Sequence, residues 1–429
     1  LKKHRIIPWW LKAALFCYSF IWLAFRLGSK LLIPFHPDIR RQSRNRYYSA
    51  SKLQSIHQHR SQFEKCILFY CSSAGEYEQA KPLIDRLKAT HFVYILFFSA
   101  SGYEYANQLE EEAGFGMTPI DTVWDWKRML KSLSPSMAII VRHEFWPGFI
   151  LTNYQYSSTI AIDVFIKEET SRLSMRFKNF LFGYLDQVYT VTERDLQRLN
   201  DQNLNRASVA GNTKFDRARE RLASRVGIKK QIAHTLNSYF SQERRLIVGS
   251  AWKEDVLIAL DALQKFLQEE HPPINLILVP HDVSASMIKW IQEECEKRQL
   301  LFAIYSKDQM PSAHVRVMIV DVVGYLFEMY TCSDWAMIGG GFQQGIHNVV
   351  EAAVAGIPMV SGPMIEQDPE AMAFSKHNLL SIVKDAQALF HWLKAKKEPD
   401  EALQIKLNAQ IQTDSGSSDY ILTSIKHHL

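Results

Sequence analysis

The sequence predicts an α/β protein built of two doubly wound domains, with an apolar helix in front of them. Three observations carry this. Short β-branched or aromatic runs alternate with longer amphipathic stretches, the pattern of parallel sheets buried on both faces. That alternation stops over a polar helical stretch, Asp216 to Gln242, and then restarts. The 429 residues also exceed what one compact core takes, so two domains are expected.

Taken in order, residues 1–46 come first. They hold ten Lys/Arg against one acid, Asp38, a net charge of +9, whereas the whole chain carries +5. Within them Ile6 to Phe25, IIPWWLKAALFCYSFIWLAF, reaches the ~20 apolar residues of a membrane-crossing helix. Pro8 and Lys12 interrupt its first half, and Trp9, Trp10 and Trp22 suit a membrane–water boundary. The expectation is a membrane-associating helix, spanning or lying in the interface, attracted to an anionic lipid surface. A buried N-terminal helix is the alternative. A spanning helix would leave the main body in the cytoplasm, because more Lys/Arg follow it than precede it.

The first domain, 47–215, has candidate strands at 66–71, 92–98, 138–141, 159–163, 187–191 and 207–210, with helices such as Tyr77 to Lys88 between them. Residues 216–244 read as a linker. The second domain, 245–395, has candidate strands at 245–249, 275–280, 300–305, 316–320, 335–339 and 357–361. A helical tail, 396–429, follows. Ligands of such sheets sit outside the carboxyl ends of the strands, and two facing domains would form a central cleft.

Because the basic excess belongs to one end, the chain is not coated for nucleic acid. Its five cysteines are scattered and form no C-x-x-C pair, which argues against a disulfide framework or a zinc site and for a reducing compartment. No clustered His/Asp pattern suggests a metal.

Two segments carry candidate chemistry. In FYCSSAGEYEQAKPLI (69–84), Glu76 stands where a buried strand hands over to a helix. It reads either as a helix-start acid, stabilised by about 0.3–1 kcal/mol, or as a catalytic base that the helix terminus helps to keep ionised. Glu144 follows the strand AIIVR in the same manner and reads as a cap or a cleft residue. In IGGGFQQGIHNVVEAAVAGIPMVSGP (338–363), Gly339, Gly340, Gly341 and Gly345 would let backbone amides approach a ligand. A helix starting near His347 and Asn348 would favour an anion, and Glu351 would meet ribose hydroxyls. Packing turns and a solvated Glu351 are the plain alternative. The segment is neither a P-loop nor a G-x-G-x-x-G dinucleotide turn.

This glycine segment resembles the nucleotide-sugar site of GT-B glycosyltransferases, and most closely that of the Kdo (3-deoxy-D-manno-octulosonic acid) transferases. SSAGE (72–76) resembles the family's A-S-x-G-E, HEFWP (143–147) its T-E-L-W-P, and AGNTKFD (210–216) its T-G-N-x-K-F-D. VGSAWKEDVLI (248–258) is similar to the A-G-S-x-x-x-x-E region and LILVPH (276–281) to the strand ending in P-R-H. DVVGYLFEMYTCSDWAMIGGGF (321–342) matches the long motif before the glycines. The family's arginine in P-R-H is missing, since His281 follows Pro280 directly.

The resemblance implies two Rossmann-like domains in the GT-B arrangement and inverting transfer of Kdo from CMP-Kdo to a lipid A precursor, lipid IVA, in lipopolysaccharide biosynthesis. It implies Glu76 as general base, with Glu144, Ser73 and Gly75 at the acceptor. The donor would be held by Ser250, His281, Gly339, Gly340, Gly341, Gly345, His347, Asn348 and Glu351. No cofactor or metal is expected, because CMP leaves with a single phosphate that basic groups and helix dipoles can stabilise. The implied location is the cytoplasmic side of the inner membrane. Alternatives are another membrane-associated GT-B enzyme using a different nucleotide sugar, or a UDP-sugar 2-epimerase of the same fold.

Overall fold

The computed structural model describes residues 5–55, 63–109, 113–142, 144–166, 171–200, 204–240, 244–269, 274–307, 314–395 and 401–426. The chain divides into unit 1, Leu1–Arg217 with Ser415–Leu429, and unit 2, Ala218–Asp414.

Unit 1 is a seven-stranded parallel sheet: β1 (Cys66–Cys71), β2 (Phe92–Phe97), β3 (Gly114–Met117), β4 (Met137–Val141), β5 (Ser158–Val164), β6 (Gln187–Thr190) and β7 (Ala207–Val209). The spatial order is β3-β2-β1-β4-β5-β6-β7. Helices α1 (Trp9–Leu32) and α2 (Pro37–Ser55) precede it. Between strands lie α3 (Ala74–Leu87), α4 (Ala100–Gln108), α5 (Val123–Leu133), α6 (Pro147–Asn153), α7 (Arg172–Phe182) and α8 (Glu193–Asn200), and α9 (Thr213–Ser224) leads out. Along β1 the side chains alternate between two cores: Cys66, Leu68 and Tyr70 enter one, Ile67, Phe69 and Cys71 the other. A sheet buried on both faces is why this strand reads as an unbroken apolar run.

Sequence reading misses β3, whose sequence GFGM looks like a turn. Its glycines are there for contact. A Cβ on Gly116 would sit 2.4 Å from both the Ser49 and Tyr94 hydroxyls. Ser49 of α2 accepts the Met117 N–H at 2.7 Å.

The N-terminal helix is long and apolar enough to cross a membrane. One of its faces is nevertheless part of unit 1: Leu11 and Leu15, with Ile7 just before the helix, are buried in the core that contains Tyr70, Trp126 and Phe149. Ser19 accepts the Val123 N–H at 3.1 Å, and the Tyr18 hydroxyl donates to Asp121 at 2.7 Å. On the other face Trp9, Trp10, Phe16, Phe20, Ile21 and Phe25 are exposed.

Unit 2 repeats the plan with β8 (Arg244–Ala251), β9 (Ile274–Pro280), β10 (Phe302–Ile304), β11 (Val317–Ile319), β12 (Trp335–Ile338), β13 (Met359–Ser361) and β14 (Leu380–Ile382). Their order is β10-β11-β9-β8-β12-β13-β14. Its helices are α10 (Val226–Tyr239), α11 (Lys253–Gln268), α12 (Ala285–Lys297), α13 (Leu326–Tyr330), α14 (Val350–Val354), α15 (Pro369–Lys376), α16 (Ala386–Ala395) and α17 (Glu401–Asp414). The last helix, α18 (Ser417–Ile425), returns to unit 1, where Ile421 and Ile425 complete the second core. Asp216, from the AGNTKFD motif, secures that return by accepting the Gly416 and Ser418 N–H groups, each at 2.7 Å.

Candidate active site

In a doubly wound sheet the strand order reverses once, and the loops leaving the two strands at that point diverge and open a crevice. In unit 1 the reversal lies between β1 and β4, which are paired neighbours. Glu76 follows β1 and Glu144 follows β4. Two carboxylates from motifs almost seventy residues apart are therefore brought to one edge.

Glu76 lies in the first turn of α3. Ser73 is the N-cap, its hydroxyl accepting the Glu76 N–H at 3.4 Å, while the Glu76 carboxylate accepts the Ser72 N–H. The Glu76 carboxylate thus reaches back to the residue before the cap, a variation on the capping box. Burial outweighs the helix terminus and raises the Glu76 carboxyl to about 7; the Ser72 N–H pulls it down, the like charge of Glu144 adds to the rise, and Arg142 opposes it. Instead of staying fully ionised, Glu76 is poised between its two forms near neutrality. Ser73 is committed to the cap. Gly75 is exposed, and a Cβ there would meet only the Ser73 hydroxyl, at 3.8 Å, so the space over the loop is open.

Glu144 is held by Trp146, whose indole N–H donates to it at 2.5 Å. Trp146 stacks on Phe98 at 5.4 Å and meets Trp22 of α1 edge-on at 5.8 Å. Beneath, Asp121 accepts from the Gly148 and Phe149 N–H groups, the Trp126 indole and Tyr18. The loop that carries Glu144 is thus tied to the N-terminal helix. Arg142 and Asp163, ending β4 and β5, have left-handed backbones (φ 63° and 55°), the kind of strain that gathers at functional edges.

In unit 2 the reversal lies between β8 and β12. Near the end of β8 stands Ser250, half-buried and again left-handed (φ 53°), and β12 leads into Gly339–Gly341. Gly340 has φ 90°, and its N–H donates to Asp255 at 2.8 Å. The same carboxylate oxygen accepts the Trp252 N–H at 2.8 Å, while the other oxygen is enclosed without a partner among the described residues. Asp255, raised to about 6 by burial, is the brace of the glycine turn. At Gly341 a Cβ would lie 2.4 Å from the Ser361 hydroxyl. Close packing therefore accounts for part of the glycine pattern.

Beside the turn three rings assemble. The Trp252 indole N–H donates to His347 Nε2 at 2.9 Å, and the two rings lie within 7° of one plane. His281 stacks over both, 4.7 Å from Trp252 and 4.5 Å from His347. An indole nitrogen only donates, so His347 Nε2 accepts and its proton is on Nδ1. Burial, followed by His281, lowers His347 to about 4, so the ring is a neutral donor.

Two expectations for this segment change. The helix begins at Val350, not near His347, and has only five residues, so its terminus contributes little to anion binding. Asn348 serves the chain by accepting the Val350 N–H at 3.2 Å. Glu351 receives the Arg221 guanidinium at 3.1 Å, and Arg221 and Arg225 also meet Glu328, which is 2% exposed. Gly345 takes φ 90° in the turn before His347. The sequence reading did not single out Arg221, Trp252, Asp255 or Arg142. Of these only Asp255 had a local signal, an acid three residues after the helix-entry position. Among the described residues no cluster of His, Cys, Asp and Glu suited to a metal occurs.

This architecture, two doubly wound units each with a site at its switch point, is that of GT-B glycosyltransferases. Solved structures share it: UDP-GlcNAc 2-epimerase from Neisseria meningitidis (TM-score 0.63, 16% identity, 84% of this chain and 99% of that one) and a glycosyltransferase from Rickettsia africae (0.59, 12%, 85% and 99%). Residues 41–217 match the profile of the 3-deoxy-D-manno-octulosonic-acid transferase (kdotransferase) family. Among curated relatives, the 3-deoxy-D-manno-octulosonic acid transferase of Rickettsia prowazekii is 25% identical over 83% of this chain and 77% of its own. That of Aquifex aeolicus is 24% identical over 79% and 89%. Family model and curated relatives thus agree, and the chain is similar to Kdo transferases over most of its length.

Proposed function

We propose that the protein is an inverting glycosyltransferase that moves Kdo from CMP-Kdo to the lipid A precursor lipid IVA at the cytoplasmic face of the inner membrane. Unit 1 takes the acceptor and unit 2 the donor. The observation that carries this reading is Glu76, a carboxyl at the unit 1 switch point that titrates at about 7, where a general base works best. In the reaction the acceptor hydroxyl oxygen bonds to the anomeric carbon as Glu76 takes its proton. The bond from that carbon to the CMP phosphate oxygen breaks, and CMP leaves with the electron pair. Gly75 leaves room for the acceptor, and Glu144 orients it.

On the donor side, Ser250, His281, the glycine turn and the Nδ1–H of His347 offer neutral contacts to the phosphate and the sugar carboxylate. Glu351, oriented by Arg221, faces the ribose. The missing P-R-H arginine is replaced by neutral donors, and no metal is required. The helix α1, packed along one face and apolar on the other, supports lying in the interface over crossing the bilayer.

The test is incubation with CMP-Kdo and lipid IVA, following CMP release and the mass of the lipid. A lipid heavier by Kdo is expected. Absence of product with CMP-Kdo, or transfer only from a UDP-sugar, would contradict the reading.

A further inference from the structure

We propose that Arg46 forms a binding site on unit 1 for a phosphate group of the acceptor. This rests on the transfer reaction proposed above. Arg46 comes from α2 and turns inward, its guanidinium 5.9 Å from the Phe98 ring centroid. Phe98 stacks on Trp146, and Trp146 holds Glu144, so Arg46 stands at the end of a column that leads to the acceptor carboxylate. Its Nε is enclosed and has no hydrogen-bond partner among the described residues. No ion pair joins Arg46 to a described carboxylate.

An arginine in this position is costly. Burial lowers its pKa, and the charge of Arg26 lowers it further by repulsion. Arg26 reaches Asp125 only at 3.7 Å and is half-exposed. An enclosed guanidinium with no carboxylate partner among the described residues forms a site whose missing component is an anion of high charge. A phosphate monoester suits it better than a carboxylate, since it offers up to two charges and three acceptor oxygens to a planar fork of donors.

The experiment uses the full chain in mixed micelles with saturating donor and two acceptors, the phosphorylated disaccharide lipid and the same lipid after enzymatic dephosphorylation. Arg46→Gln is expected to raise KM for the phosphorylated acceptor about tenfold or more. It leaves kcat and the donor KM within about twofold, and Arg46→Lys recovers part of the loss. On the dephosphorylated lipid the difference between variant and wild type vanishes. An unchanged KM, or an equal penalty on both lipids, overturns the proposal. Calorimetric titration of the donor-free protein with the same lipids gives a readout independent of turnover. Weakened binding of the phosphorylated lipid by Arg46→Gln then supports the site even if Kdo transfer is disproved. Inorganic phosphate bound as tightly as the phosphorylated lipid would overturn its assignment to a lipid headgroup.

Discussion

Trp252 donates its indole N–H to His347 Nε2 at 2.9 Å, and this single bond determines which nitrogen of His347 carries the proton. His347 remains neutral with its Nδ1–H as donor. Trp252→Phe keeps the bulk and removes the donor, so the Nδ1–H tautomer is no longer enforced, while burial and His281 still hold the ring neutral. Ring-nitrogen NMR shifts, which distinguish the two tautomers, check this. An unchanged tautomer in the variant would show that the Trp252 bond does not select it.

The same ring couples folding to pH. A histidine whose pKa is lowered on folding stabilises the folded state fully above about 6.5, and that contribution is lost as pH falls toward 4. His347→Gln therefore flattens the decline in unfolding free energy over that window, measured by urea titrations at several pH values. An equally steep decline in the variant would contradict it.

Glu76 gives the rate a pH signature. Below about 7 the base is protonated, so kcat/KM is expected to rise with pH, about tenfold per unit well below the pKa, and to level above it. Glu144 raises the Glu76 pKa, so Glu144→Gln moves the acid limb to lower pH. A limb that stays in place would separate the two carboxylates.

Asp121 accepts four hydrogen bonds while buried, from α1, α5 and the start of α6. Asp121→Ala strands those donors and is expected to lower stability by about 3 kcal/mol or more. Asp419→Ala breaks an exposed ion pair with Arg86 and costs at most about 1 kcal/mol. Urea unfolding distinguishes them, and equal losses would refute the hub.

The strands were legible because sheets buried on both faces leave unbroken apolar runs, as in CILFYC and NLILVP. β3 escaped because Gly114 and Gly116 serve contact with α2 and Tyr94 and carry no apolar signal. β14 escaped because its last residues, Ser381 and Ile382, are not enclosed. At the sites, Glu76 and the glycine turn were visible as motifs. Their position at the two switch points was not, because it depends on which strands become neighbours. Asp255 bracing Gly340, Trp252 orienting His347 and Arg221 holding Glu351 join residues 85, 95 and 130 apart, beyond any local pattern.

The central claim is that Glu76 takes the acceptor's proton during Kdo transfer. It is tested most directly by the single-turnover rate of Glu76→Gln, an isosteric change that retains a cap acceptor, with CMP-Kdo and lipid IVA. The account predicts a rate lowered by about 10²–10⁴-fold with donor affinity unchanged. A rate within about threefold of wild type would contradict it.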